Sequence, residues 1–397
     1  MSKFAGVWAG CAGVCLMASS TAMAEPLDPL AGRNDWNAGG GIELRTTNGV
    51  HGQGSLRILA ERAFAEGMVA DWRVNMTLVR ANVATGMATP GTDLGKRFAA
   101  ETSSPLPETD IVFPIVSVRH ESDDWTTSAK LSSTPMGGPI SPRPVGSVAA
   151  THYGSSTILD GRLFAEPVVA SMLSYTGTRD PVTGQYWGRV VDQGAGAQAT
   201  FLLGERTSLA FGGEGAYLQG QDVADNYRVN GRVDAAYDFR PDGFDHLRVG
   251  PFVSYSHFDR NLSHYTYGHG GYYSPDSDVR EGLLVDALTA EGRPWQVEMK
   301  TSLALGQVQE ASSPRFPVGG GGGADYAASS SNGINSEISL RASALVSEQL
   351  ILSGFGRYQA APQYTDMAVG AFLTVPFSPR GGVFSADLPN SIFTPFR

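Results

Sequence analysis

Apolar and polar residues take turns along most of this chain. Tyr227, Val229, Val233, Ala235, Tyr237 and Phe239 alternate with Arg228, Asn230, Arg232, Asp234 and Asp238. Trp295, Val297, Met299, Thr301, Leu303 and Leu305 alternate with Gln296, Glu298, Lys300 and Ser302. The same period of two runs from Trp72 to Leu78 and from Ile334 to Val346. Successive side chains of a strand point to opposite faces, so each run predicts a strand with one apolar and one polar face. Runs of about ten to fourteen residues are long for a globular strand but suit a tilted strand crossing a membrane.

The connectors carry a second regularity. Short ones recur at every second place: around Gly67-Met68, Ser122 to Asp124, Gly204 to Arg206, Gly292-Arg293 and Ser347 to Gln349. Between them lie longer ones, from Ala84 to Asp110, Ser133 to Pro144, Gly177 to Gln185, Leu262 to Arg280 and Glu310 to Gly333. This alternation predicts an all-β fold: a transmembrane, antiparallel, up-and-down β-barrel of about sixteen strands, with short periplasmic turns and long extracellular loops. An even strand count places both barrel ends in the periplasm. Trp36, Trp72, Trp125 and Trp295 open strands beside the short turns, where an interfacial aromatic girdle belongs.

The expected division is a signal peptide over 1–24, a periplasmic lead-in over 25–35, the barrel over 36–380 and a tail over 381–397. Lys3, the apolar stretch from Phe4 to Met17 and Ala22-Met23-Ala24 carry the first of these. Cys11 and Cys15 are the chain's 2 cysteines and fall inside it, which leaves no disulfide or thiolate site beyond it. For the tail the pattern leaves a plug, a periplasmic extension and disorder open. The formal charge of −10, without basic clusters, argues against a nucleic-acid partner. No later apolar run is long enough for a membrane helix. Gly319 to Gly323 is expected to be a flexible loop, since no GK[ST] follows it.

Catalytic signatures are missing: there is no G-x-S-x-G elbow, no H-E-x-x-H and no P-loop. His51, His120, His152, His246, His257, His264 and His269 are scattered, and their spacings fit no common metal pattern. No metal, no cofactor and no enzyme activity is expected. Ser263, His264 and Asp259 are close in sequence and would carry the contrary reading of a barrel enzyme. A glycan channel needs aromatic rings that stack on sugars and polar groups that exchange hydrogen bonds with them. Two segments dense in Tyr and Gly, Ser174 to Gly188 and Asn261 to Pro275, fall on the expected extracellular side.

The segments LSYTGTRDPVTGQYWGRVV (Leu173 to Val191), GQDVADNYRV (Gly220 to Val229) and YSHFDRNLSHYTYGHGGYYSP (Tyr255 to Pro275) resemble, in order and spacing, the C-terminal domain of the cellulose synthase operon's outer-membrane subunit. The resemblance is strong over Tyr153 to Asp278. It implies a sixteen-stranded barrel in the outer membrane of a Gram-negative bacterium, exporting cellulose or a related exopolysaccharide. It also places Arg179, Asp180, Tyr186, Trp187, Asn226, Arg228, His257, Asp259, Asn261, Tyr265, Tyr267, Tyr272 and Tyr273 as candidate motif and substrate-path residues. Pro181, Gly184, Gly270 and Gly271 share those motifs. The family's helical repeat scaffold has no counterpart here, because no tetratricopeptide period is found. Expected partners are a cellulose-like chain, outer-membrane lipid and a separate periplasmic scaffold or cellulose synthase complex. The alternatives are a general or oligosaccharide porin, and a barrel enzyme acting on lipid or glycan at the outer surface.

Overall fold

The computed structural model describes residues 32, 34–88, 92–96, 108–319, 322–362 and 364–393. The expected signal peptide, most of the lead-in, and Gly320 and Gly321 of the glycine run lie outside the described residues. The strands are β1 (Asn37–Thr47), β2 (Leu56–Val69), β3 (Trp72–Ala84), β4 (Glu108–Glu121), β5 (Trp125–Ser133), β6 (Pro144–Tyr153), β7 (Thr157–Pro167), β8 (Thr178–Arg179) and β9 (Tyr186–Leu202). They continue as β10 (Thr207–Gln221), β11 (Asn226–Asp238), β12 (Phe244–Phe258), β13 (Ser277–Thr289), β14 (Trp295–Glu310), β15 (Ser329–Ser347), β16 (Leu350–Ala361) and β17 (Tyr364–Pro376).

Sixteen of these form the wall. β8 is a two-residue ladder on the outer end of β9, and β7 pairs directly with β9. Each wall strand lies antiparallel to its sequence neighbour, and β1 pairs β17 from Asn37↔Pro376 to Thr47↔Asp366, closing the sheet. Closure removes the free edge that an open sheet would expose. The expected barrel and its strand number are thus found.

The outer surface is apolar where a membrane requires it. Ile42, Leu78, Leu131, Leu163, Leu283, Leu303, Leu305 and Ile334 are all more than half exposed. Trp72, Trp125 and Trp295 begin β3, β5 and β14 and are exposed beside the short turns, as a girdle requires. Two turns depart from the expected alternation. The connections 222–225 and 362–363 are short although they lie on the long-loop side, and β15 begins at Ser329, inside the segment expected to be loop. The wall is lowest at β5 and β6, of 9 and 10 residues, against 19 in β15.

Inside, the wall has two characters. Leu56, Ile58 and Ala60 of β2, Val79, Ala81 and Val83 of β3, and Ile111, Phe113 and Ile115 of β4 point inward as one apolar stripe. The outward partners in the same rows include Arg57, Glu61 and Arg80. Here apolar side chains face inward as well as outward, since Leu59, Met76, Leu78, Val112 and Val116 of the same strands are exposed on the outer side. The other strands turn charged and hydroxyl side chains inward, as a water-filled lumen requires.

Candidate functional site

The lumen is entered from both ends by segments that meet on the apolar stripe. From the long-loop end comes α1 (Met172–Tyr175), a single turn capped by Ser171, whose Oγ accepts from the Ser174 amide at 3.1 Å. Met172 and Tyr175 are each 2 % exposed and pack on the stripe. From the short-turn end comes the tail. Arg380 is buried in an ion pair with Asp387 at 2.6 Å, and Val383 bridges Arg293 in the β13–β14 turn. The tail then climbs the inner wall. Ser343 Oγ donates to the Asp387 carbonyl at 2.7 Å, Arg62 donates to that of Asn390 at 2.9 Å, and the Ile392 amide donates to Glu43 at 3.2 Å.

Phe393 lies at the meeting point, 1 % exposed, with its ring edge-on to Phe113 and Tyr175 at 6.4 and 6.2 Å. Arg45 joins the three parts. It grips Asp366 with two nitrogens at 3.1 and 3.0 Å and donates to the carbonyls of Val169 and Phe393 at 2.8 and 3.0 Å. The described part of the tail, to Phe393, thus lies against the inner wall.

Around the remaining lumen runs a belt of ion pairs. Arg228 on β11 contacts Asp192 at 2.6 Å and Glu214 at 2.7 Å, and Arg162 also pairs with Glu214. Arg341 holds Glu298 at 2.5 Å, Arg280 holds Asp278 at 2.6 Å, and Arg357 bridges Glu337 and Asp366 at 3.1 and 3.5 Å. Arg232 lies over the Phe252 ring at 4.4 Å. Hydrogen-bonding groups beside aromatic faces are what a passing sugar chain can exchange contacts with.

The motif residues build the cap above this belt. Trp187, fully buried, tilts against Tyr267 at 5.6 Å, and both pack with Leu173, Leu218, Leu262, Tyr272 and Phe316. Asp180, 1 % exposed, accepts from the amides of Lys96, Val182 and Thr183 at 2.9, 3.4 and 3.0 Å. Arg179 instead donates to the Gly184 carbonyl at 3.2 Å, and Gly184 has φ 73°, which favours glycine. Asn226 donates to the Arg260 carbonyl at 2.8 Å and to Tyr272 Oη at 3.2 Å. Asn261 holds its own turn by accepting from Ser263 Oγ at 2.6 Å and donates to the Ala311 carbonyl at 3.0 Å.

Tyr265 is pushed up to about 12 by burial and is hydrogen-bonded with Ser171. Tyr186, Asp259 and Tyr273 are exposed on the rim, and His257 faces outward in register with Val229. Of the thirteen candidates, Arg228 belongs to the lumen belt. Ser263 Oγ donates to Asn261, and Asp259 pairs with Arg260 at 3.6 Å, so the imagined Ser263–His264–Asp259 relay is not assembled. Sequence reasoning did not single out Arg45, Asp366 and Phe393, and it held Tyr175 only as a member of the motif that opens at Leu173.

Two loops are locked together by rings, and a third joins them through an ion pair. His264 stacks on Tyr326 at 3.6 Å, and His269 stands edge-on to both. Arg315 pairs with Asp93 at 2.5 Å, and His269 Nε2 donates to the Pro314 carbonyl at 3.0 Å. Burial lowers His269 to about 4, the neighbouring His264 adding to the effect, and burial lowers His264 as well. The charged groups acting on His264 are Glu310, Asp93 and Arg315.

A histidine held below its ordinary 6.5 stabilises the folded cap fully above that pH. The contribution is lost as pH falls from 6.5 toward 4, because the open loop then binds protons that the closed loop cannot. For His269 this is about 3 kcal/mol. Hydrogen exchange of the 259–276 loop is therefore expected to speed up as pH falls across that window. In His269→Phe most of the acid sensitivity should vanish. Equal exchange at pH 7 and pH 4, after correction for intrinsic rates, would contradict this account.

Comparison with known proteins gives concordant findings. The family model described as the cellulose synthase operon protein C C-terminus matches residues 84–378. Cellulose synthase operon protein C of Xanthomonas axonopodis pv. citri is 28% identical over 288 residues, covering 70% of this chain and 18% of that protein. Its namesake from Pseudomonas fluorescens is 23% identical over 357 residues, covering 86% of this chain and 27% of that protein. The chain thus spans about a fifth to a quarter of the length of these relatives. A solved structure described as a bacterial polysaccharide outer membrane secretin shares the fold, at 10% identity and a TM-score of 0.53, over 87% of this chain and 99% of that one.

Proposed function

Since the chain belongs to the family of the cellulose synthase operon protein C C-terminus and is an outer-membrane β-barrel, we propose that it is the outer-membrane export pore for cellulose or a related exopolysaccharide, closed at rest by its own tail and loops. The observation that carries this reading is the lumen. A sixteen-stranded wall is wide enough for an aqueous passage, and this one is lined by the Arg162, Glu214, Arg228, Asp192 belt. It is obstructed by segments that enter through its two mouths. The tail can leave without breaking the wall, because its contacts are side-chain bonds to the inner wall and a bridge to the β13–β14 turn, not ladder bonds. An uncharged glucan would then meet guanidinium, carboxylate and hydroxyl groups along its path, and gating would sit in the plug. Partners on this reading are the nascent glucan and, at the periplasmic mouth, the cellulose synthase complex or a repeat scaffold.

The test is made in cells that synthesise cellulose and lack their own outer-membrane subunit. The chain, supplied with a periplasmic scaffold, should restore glucan at the cell surface, and without the chain the polymer should remain in the periplasm. Surface glucan that is unchanged by the chain's presence would overturn the export reading.

A further inference from the structure

Arg189 has no structural employment in the account so far, and its surroundings are unusual. It lies in β9 with φ 47°, left-handed and uncommon for a residue with a side chain. The β9–β10 register shifts between Gln219 and Gln221, the latter facing Gly188. Irregularities of this kind re-aim side chains. The side chain is directed under the cap, toward the 134–143 loop and the segment that carries α1. A Cβ on Gly138 would lie 2.7 Å from Arg189 Nη2 and 3.2 Å from the Thr176 carbonyl oxygen.

The residue is 2 % exposed, and Nε, Nη1 and Nη2 are all buried without a hydrogen-bond partner. Its electrostatic neighbours are Tyr175 and a second guanidinium, Arg143, with no carboxylate among them. Every other buried arginine of the lumen that has been described faces an acid: Arg45 has Asp366 and Arg380 has Asp387. An uncompensated guanidinium in such a place is costly unless an anion meets it.

We propose that Arg189, assisted by Arg143, holds a small free anion such as chloride or inorganic phosphate. Bound there, the anion ties the 134–143 loop to the α1 segment and so stabilises the closed cap. A free ion is favoured over a lipid headgroup because Arg189 is buried beneath the cap, with Arg143 exposed at its edge. The five N–H donors of the guanidinium suit an oxyanion held by two oxygens or a halide in the fork. The binding site stands apart from the export reading. Its effect on gating rests on that reading, because α1 is part of the plug.

The experiment measures thermal unfolding of the refolded full chain in detergent, free of lipid. Chloride and inorganic phosphate are titrated against a large, weakly coordinating anion at constant ionic strength. A rise of about a hundredfold in the binding anion should raise the midpoint of the native chain by about 2 °C or more. Arg189→Gln should be flat across the titration and should equal or exceed the native chain when the anion is scarce, because it removes an unpaired buried charge. The two curves therefore cross. Arg189→Lys keeps the charge and should retain a weaker dependence. No dependence in the native chain, or the same dependence in Arg189→Gln, would overturn the site. An Arg189→Gln midpoint below the native one at every anion concentration would mark a packing role and overturn it equally. If the midpoint depends on the anion but conductance does not, the site stands and its link to gating falls.

Discussion

A chain ending at Ser378 is expected to conduct about tenfold more current than the full chain, or more, when each is placed in a planar bilayer. The tail is attached by removable contacts: the Arg380–Asp387 pair, the bridge at Val383, the bonds to Ser343, Arg62 and Glu43, and the seat of Phe393. None is a ladder bond of the wall, whose last strand ends at Pro376, so the barrel should still close. Loss of Phe393 also strips α1 of its apolar partner and exposes Tyr175 and the β2–β4 stripe to water. The remaining loop should then move more freely, and the current should fluctuate between levels. Equal conductance in the two chains would show that the tail is not the obstruction.

The second large effect is expected from Arg45→Ala. Arg45 and Asp366 are 5 % and 2 % exposed, and the arginine also serves the carbonyls of Val169 and Phe393. Removing one partner of a buried pair leaves the other charged and desolvated, at about 3–5 kcal/mol. Arg357, 3.5 Å from Asp366, compensates part of this and argues for the lower figure. Because both carbonyl acceptors belong to the plug, the loss falls on the closed state. Protease should reach the tail sooner, and channel openings should become frequent. The pair Arg45→Ala with Asp366→Ala should be less harmful than Arg45→Ala alone, which a double-mutant cycle reads directly. Additive losses would contradict the assigned pairing.

Much of the wall was legible because alternation is local. Tyr227 to Phe239 and Trp295 to Leu305 declare their faces residue by residue, and the short turns declare the hairpins. Alternation shows that a strand has two faces but does not say which one turns inward. On β2 and β3 the apolar set of Ile58, Ala60, Val79 and Ala81 faces in, while Arg57, Glu61 and Arg80 face out. That inward apolar stripe is covered by Phe393, Met172 and Tyr175, and those residues are far away along the chain. The Tyr- and Gly-rich motifs were legible as a cluster. Their packing was not, since Trp187 with Tyr267, or Asp180 with Lys96, depends on loops from different hairpins meeting. The tail's part of the plug had no sequence signature beyond a stretch left over after the last strand.

The most direct test of the central claim adds cello-oligosaccharide to the conducting chain that ends at Ser378 while single-channel current is recorded. A glucan path predicts reversible, concentration-dependent interruptions of the current. Replacing Arg228, which holds Asp192 and Glu214 at the belt, with alanine should shorten them. A steady current indifferent to the sugar at every concentration would contradict a lumen built to conduct glucan.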